Sequence, residues 1–97
     1  MTNETDLTGK SVVVRARDAG VHFGILSGYE GRTVTLTNSR RLWRWHARSG
    51  VALSGVAQHG IFPDKSKVDS AVPVIVVLDA CEIIAASDIA AKTIREA

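Results

Sequence analysis

Along residues 11 to 37, apolar and polar side chains alternate with a period of two, and glycines interrupt the alternation. This pattern is typical of β-strands, in which successive side chains point to opposite faces of a sheet. It predicts three strands, at Ser11–Arg17, Val21–Ser27 and Arg32–Thr37. Gly20, Gly28 and Gly31 lie between these strands and can form the tight turns of an antiparallel β-meander.

The rest of the chain adds shorter elements to this meander. We predict a strand at Arg40–His46, a short helix within residues 49–59, one long or two short strands at Val72–Ala86, and a C-terminal helix at Asp88–Glu96. Pro73 favours the edge of a sheet, and Ser87 is a good N-cap for the last helix. The predicted fold is α+β, with one domain over residues 11–97 and a flexible arm at residues 1–10. Alternation alone does not decide between an open sheet and a small barrel.

Composition limits the classes of protein to consider. The chain has 97 residues, of which 45% are hydrophobic and 23% charged, as in an ordinary single soluble domain. Its longest apolar run, Ala71–Leu78, is far too short to span a membrane. A single cysteine, Cys81, excludes an intramolecular disulfide, and the three histidines lack metal-ligand spacing. We therefore expect a cytoplasmic protein with no cofactor, no metal, no membrane partner and no enzymatic activity.

Positive charge is concentrated in the middle of the chain. No acidic residue lies between Glu30 and Asp64. That stretch contains Arg32, Arg40, Arg41, Arg44 and Arg48, with His46 and His59. Arginine suits bidentate recognition of phosphate or carboxylate, and tryptophans among the arginines offer faces for stacking. As a strand, this segment would place Trp43 and Trp45 on one face with Arg41, and Arg44 on the other.

The candidate ligand site is built from this segment. Arg40, Arg41 and Arg44 would bind phosphate, Trp43 or Trp45 would stack on a ring, and His22 would be a hydrogen-bonding neighbour. Each residue also has a structural interpretation. The tryptophans could belong to the core or an interface, the arginines could be solvated or ion-paired, and His22 could lie on the polar face of the sheet.

Two segments resemble a known family. They are Ala19-Gly20-Val21-His22-Phe23-Gly24-Ile25-Leu26 and, after Glu30-Gly31, Asn38-Ser39-Arg40-Arg41-Leu42-Trp43-Arg44-Trp45. The pairing of A-G-V-H-F-G with R-R-L-W-x-W resembles small proteins of unknown function from bacteriophages and prophages. The resemblance implies a phage accessory protein that acts in the cytoplasm of the bacterial host. The resemblance implies no mechanism, and the expected one is an analogy: other phage proteins of this size act stoichiometrically against host systems, including as oligomers that sequester nucleotide-derived immune signals.

Three functions remain open at this point. The first is a homo-oligomeric, non-enzymatic binder that sequesters a small anionic, nucleotide-like molecule as part of anti-defence. The second is an inhibitor that binds a host defence protein through its tryptophans and arginines, which are common at interface hot spots. The third is a weak nucleic-acid-binding protein, which a net charge of only +2 does not favour. A homo-oligomer is expected because a domain this small gains stability by self-association.

Overall fold

The computed structural model describes residues 6–50 and 52–97 and confirms the predicted α+β class. Within these residues it contains six β-strands, two α-helices and a 3-10 turn at Pro63–Lys65. The strands are β1 (Ser11–Ala16), β2 (Gly20–Glu30), β3 (Thr33–Arg44), β4 (Lys67–Val68), β5 (Val72–Val77) and β6 (Ala80–Ala85). The helices are α1 (Leu53–His59) and α2 (Asp88–Glu96).

The strands form one antiparallel sheet that bends strongly. Its order is β4-β3-β2-β1-β6, and β5 also pairs with β3. In a flat sheet, four strand spacings would separate β5 from β6 by about 19 Å. Leu78 and Asp79 alone join these two strands, and such a connection reaches only about 11 Å. The sheet therefore curves until its edges approach each other, but β5 and β6 do not pair in the described residues, so it remains open.

Irregularities in the long β2–β3 hairpin produce the bend. The pairing shifts register between Phe23 and Ile25 and again between Leu26 and Gly28. Asn38 has a positive φ of 48°, a conformation that asparagine tolerates better than most residues. The segments predicted as separate strands before and after Asn38 are thus one bent strand, β3. The alternation could not show that a single residue in the left-handed region joins them.

Side chains are buried on both faces of the sheet. An inner core lies within the bend: Val12, Val14, Ala16, Leu26, Val34, Leu36 and Val77. An outer core lies between the sheet and the helices: Val13, Phe23, Leu42, Leu53, Val56, Ala57, Ile61, Ala91 and Ile94. Val13 shares its face with Arg15, as predicted, yet it is fully buried because the helices cover that part of the face.

Local signals in the sequence explain both helices. The Ser87 hydroxyl accepts a hydrogen bond from the Ala90 N–H at 3.1 Å, which confirms the predicted N-cap. Helix α1 ends at Gly60, as predicted, but begins only at Leu53. Val51, which was predicted to belong to this helix, lies outside the described residues. Gly55 is required within the helix because a β-carbon there would collide with the Ser49 carbonyl.

The predicted N-terminal arm is described only from residue 6. The Gly9 N–H donates to the Leu26 carbonyl at 2.8 Å, and the Leu26 N–H donates to the Lys10 carbonyl at 3.0 Å. Leu7 packs against the inner core. Residues 7–10 are therefore in contact with the domain, and the flexibility of the arm stays a prediction.

Arg40 ties three elements together. Its Nε donates to the Asp69 carbonyl at 2.7 Å, and its two terminal nitrogens donate to four more main-chain oxygens. These four belong to Val68, Ile94, Arg95 and Ala97. Three of them lie at the C-terminal end of α2, where carbonyls lack helical partners and attract cations. All five guanidinium N–H groups are used, so Arg40 is a structural residue and not the phosphate-binding residue that the sequence predicted.

The substitution Arg40→Lys tests this structural role. Lysine keeps the charge but cannot donate along five directions from a planar group, so several carbonyls lose their partner. We expect the free energy of unfolding to fall by about 2–4 kcal/mol, measured by urea denaturation. The control Arg44→Lys changes an exposed arginine and should leave stability unchanged. Equal stability of both variants and the wild type would contradict the structural role.

Candidate functional site

Two adjoining depressions share the side chains of Arg41 and Asp69. The first, called here the outer cleft, has a volume of about 370 Å³ and is lined by Arg41, Trp43, Lys67, Val68 and Asp69. The second, called here the recess, has a volume of about 190 Å³. It is lined by His22, Ser39, Arg41, Asp69, Ser70, Val72 and Ile75. Because two residues belong to both, the outer cleft and the recess adjoin and together make up the candidate site.

Strand pairing brings these residues together. His22 on β2 lies opposite Arg41 on β3, and directly paired residues share a face of the sheet. The short strand β4 pairs with the end of β3 and places Lys67 beside the Trp43 segment. The Asp69 N–H then donates to the Arg41 carbonyl at 2.8 Å. This hydrogen bond holds Asp69 next to β3, where its carboxylate lines the site.

The outer cleft combines an exposed indole with two cations. Trp43 is 70% exposed, although a tryptophan of a small domain is usually packed. The Lys67 Nζ lies 5.3 Å from the centroid of the Trp43 ring, within the range of a cation–π interaction. In the described part of the chain, the Arg41 guanidinium makes no hydrogen bond or ion pair. An aromatic face and an available guanidinium are thus presented together.

The recess contains two buried polar atoms without a partner. His22 is 0% exposed, and its Nε2 lies 2.8 Å from the Ala19 carbonyl, so this nitrogen is the donor. The other ring nitrogen, Nδ1, has no hydrogen-bond partner among the described residues. The same holds for the hydroxyl of Ser39, which is 1% exposed. Buried polar atoms are nearly always paired, so two unpaired ones on residues that line the same recess mark it as a binding site candidate.

The protonation state of His22 follows from its surroundings. Burial lowers the pKa of His22 below the usual 6.5, the Ala19 carbonyl raises it in part, and the Arg41 charge lowers it again. The imidazole is therefore neutral at pH 7. With its proton on Nε2, it offers the lone pair of Nδ1 as a hydrogen-bond acceptor.

The structure unites some of the predicted site residues and separates others. His22, Arg41 and Trp43 line the candidate site, although Trp43 was predicted to share its face with Trp45. Trp45 instead packs against the outer core, because β3 ends at Arg44 and the alternation ends with it. Arg44 is exposed but lines neither the outer cleft nor the recess.

Sequence reasoning missed the four other polar residues of the site. They are Ser39, Lys67, Asp69 and Ser70. The alternating charges of residues 64–69 indicate only a solvated loop, since a two-residue strand such as β4 gives no periodic signal. Ser39 lies between the strands predicted at Arg32–Thr37 and Arg40–His46. The neighbouring Asn38, a residue that favours the left-handed region, was the available signal for a bend that turns Ser39 inward.

The described residues, 6–50 and 52–97, contain neither a metal-binding cluster nor a membrane-spanning helix. Among these residues, no group of histidine, cysteine and carboxylate side chains is arranged to hold a metal ion. No helix in the same ranges combines the length and the apolar character that crossing a membrane requires.

The fold and the site define a small α+β protein with a concave site that combines an exposed indole, two cations and a polar recess. The chain belongs to the family described as a domain of unknown function, DUF6948, whose model matches residues 9–94. This confirms membership of a family of unknown function, whereas the phage origin stays a prediction. Searches of curated proteins and of solved structures found no match.

The neutral state of His22 predicts a pH dependence of stability. Because the pKa of His22 is lowered in the folded protein, the unfolded chain binds this proton more readily. Stability should be complete above about pH 6.5 and fall as the pH decreases toward the pKa of folded His22. Urea denaturation between pH 7 and pH 5 measures this loss.

The variant His22→Gln should remove this component, since glutamine can still donate to the Ala19 carbonyl but does not titrate. His59→Gln, which changes an exposed histidine, is the control and should keep the wild-type profile. A profile that is the same for His22→Gln and wild type would show that the imidazole does not carry the effect.

Proposed function

We propose that this chain is a non-enzymatic binding protein that captures a small anionic, ring-bearing molecule of the nucleotide class. The observation that supports this proposal is Trp43, which is 70% exposed in the same cleft as Arg41 and Lys67. The indole offers a stacking face for a planar ring, and the two cations offer charge-assisted hydrogen bonds to phosphate.

The charge distribution favours a small anion over a nucleic acid. The outer cleft holds two cations, and the carboxylate of Asp69 limits the positive potential at its inner end. An extended phosphate backbone needs a longer row of cations, and the net charge of +2 does not supply one. One or two phosphate groups of a small molecule can be neutralised by Arg41 and Lys67 alone.

The shape of the site favours a small molecule over a host protein as the ligand. Small ligands bind in concave sites of a few hundred Å³ that contain a few polar groups. The outer cleft and the recess fit this description, with volumes of about 370 and 190 Å³. A protein-inhibitor function would use Trp43 and Arg41 as hot spots but would leave the buried atoms of the recess without a role.

Catalysis is not included in the proposal. A serine nucleophile needs a base in hydrogen-bond contact with its hydroxyl. His22 and Ser39 line the same recess but do not hydrogen-bond to each other, since neither His22 Nδ1 nor Ser39 Oγ has a partner in the described residues. Stoichiometric capture is the function that this arrangement supports best.

The proposed setting is that of a phage accessory protein in the cytoplasm of a bacterial host. There, capture of a nucleotide-derived signal would serve anti-defence. This part of the proposal rests on the resemblance of the A-G-V-H-F-G and R-R-L-W-x-W segments to phage proteins. A stoichiometric binder fits such a role because it lowers the concentration of a signal without needing turnover.

Self-association of two copies is part of the proposal, and the outer face of β5 supports it. Val74 and Val76 are 58% and 54% exposed, and they pair with Thr37 and Thr35 of β3. The helices cover another part of the sheet, so these uncharged side chains have no cover within the described chain. A second copy would bring an identical uncharged face against this one, without opposing like charges. β5 also has a free edge, since it pairs only with β3 in the described residues.

Calorimetric titration with adenosine and guanosine 5′-phosphates and with cyclic dinucleotides tests the binding function. We expect the wild type to bind at least one of them. Trp43→Ala and Arg41→Ala should each weaken that binding by about tenfold or more, because each removes a stacking face or a phosphate contact.

Arg44→Ala is the matched control, since it removes an exposed arginine three positions away that lines neither part of the site. It should bind as the wild type does. Equal losses for Arg41→Ala and Arg44→Ala would indicate non-specific charge attraction and contradict the proposed site. If the wild type binds none of the nucleotides but retains a host protein, the inhibitor function replaces the proposal.

The mass of the protein in solution tests self-association. We expect light scattering after size exclusion to give a multiple of 10.4 kDa for the wild type and a lower mass for Val74→Lys, because a lysine there places two charges in the interface. Ile89→Lys, on a separate exposed position of α2, is the control and should retain the wild-type mass. A monomeric wild type at all concentrations would contradict this part of the proposal.

A further inference from the structure

We infer that the recess binds a neutral, hydrogen-donating part of the ligand, a vicinal diol or an amino group, while the anionic part of the same molecule lies in the outer cleft. This inference rests on the proposed function and adds which part of the ligand lies in the recess and which in the outer cleft. It follows from the chemistry of the atoms that line the recess and from the position of Arg41.

The unpaired atoms of the recess define what it can bind. The Nε2 of His22 donates to the Ala19 carbonyl, so the unpaired Nδ1 must accept a hydrogen bond. The hydroxyl of Ser39, also unpaired, can accept or donate. A ligand group that satisfies both atoms therefore carries at least one N–H or O–H donor.

Asp69 adds a further hydrogen-bond acceptor to the recess. One of its carboxylate oxygens, Oδ1, accepts a hydrogen bond from the Ser70 N–H at 2.8 Å. The other carboxylate oxygen accepts no hydrogen bond from the described residues, and Asp69 lines the recess. With Nδ1 of His22, the recess presents several acceptors in one small volume. Vicinal hydroxyls and amino groups can donate to more than one acceptor at once.

The charges of the lining residues favour the outer cleft over the recess for an anion. Arg41 and Asp69 line both parts of the site, so they do not distinguish them. Lys67 lines only the outer cleft, whereas the recess offers a phosphate the lone pair of His22 Nδ1, which repels negative charge. The favourable position for phosphate is therefore the outer cleft, next to Arg41 and Lys67.

The volume of the recess also indicates that it holds only a part of the ligand. A recess of about 190 Å³ lies below the usual range for a complete ligand pocket, about 300–1,000 Å³. It can therefore hold a part of a molecule, such as a sugar or the edge of a base. Val72 and Ile75 give the recess apolar walls that would contact the carbon atoms of that part.

Three nucleotides distinguish whether the diol or the amino group of the ligand binds in the recess. Adenosine 5′-monophosphate carries both the diol and the amino group, its 2′,3′-dideoxy analogue lacks the diol, and purine riboside 5′-monophosphate lacks the amino group. We expect the wild type to bind adenosine 5′-monophosphate at least about tenfold more tightly than one of the two analogues, measured by calorimetry. The analogue that binds more weakly identifies the group that enters the recess.

Two variants locate this preference in the recess. Ser39→Ala removes the hydroxyl, and His22→Phe replaces the imidazole by a ring that has no acceptor, so each variant should reduce the preference between the probes towards onefold. Ser39→Ala removes a hydroxyl that has no partner within the described chain, so it should fold with an unchanged or higher midpoint of thermal unfolding. A loss of preference in this variant therefore cannot come from unfolding.

The outcomes distinguish the inference from the proposed function. Equal binding of all three probes by the wild type, with the loss in Arg41→Ala retained, would overturn the inference and leave the outer cleft as the binding site. A preference that Ser39→Ala and His22→Phe both retain would also overturn it. If the wild type binds none of the three probes, the proposed function fails for these nucleotides and the inference fails with it.

Discussion

The Arg40 guanidinium is the interaction on which the arrangement of the site depends. It holds the Val68–Asp69 segment and the C-terminal end of α2 against β3 through five hydrogen bonds to main-chain oxygens. Because the Asp69 main chain also donates to the Arg41 carbonyl, this segment is fixed on both sides. Neighbouring arginines thus have different roles: Arg40 supports the structure, which leaves the Arg41 side chain available at the site. Adjacent side chains of a strand point to opposite faces of the sheet, so Arg40 and Arg41 have different surroundings and can have different roles.

The site also illustrates how a small domain balances stability against binding. Burying His22 Nδ1 and Ser39 Oγ without partners costs free energy that an apolar pair would not cost. Leaving Trp43 exposed forgoes the burial of a large apolar side chain. The inner and outer cores provide stability elsewhere, on both faces of the bent sheet. Costs of this kind are common where a protein binds a ligand, because the binding groups must remain unpaired until the ligand arrives.

Local patterns in the sequence were sufficient for most of the fold, but not for the site. Alternation identified the meander, and Ser87 and Gly60 marked the helix ends as the structure has them. The bend at Asn38 was missed because one residue in the left-handed region leaves no periodic signal, and it decides where Ser39 lies. Charge and aromatic content selected the segment that contains Arg41 and Trp43, but they could not separate these residues from Arg40, Arg44 and Trp45. That separation depends on contacts with α2, β4 and the outer core, which are distant in sequence.

The central claim is that the outer cleft and the recess act as one binding site, joined by Arg41 and Asp69. An NMR titration of the full chain with adenosine 5′-monophosphate tests it most directly, through the side-chain signals of Trp43, Arg41 and His22. One site predicts that all three signals change with a single dissociation constant and that the His22 imidazole stays neutral at pH 7. A change at Trp43 alone, or different dissociation constants for Trp43 and His22, would contradict it.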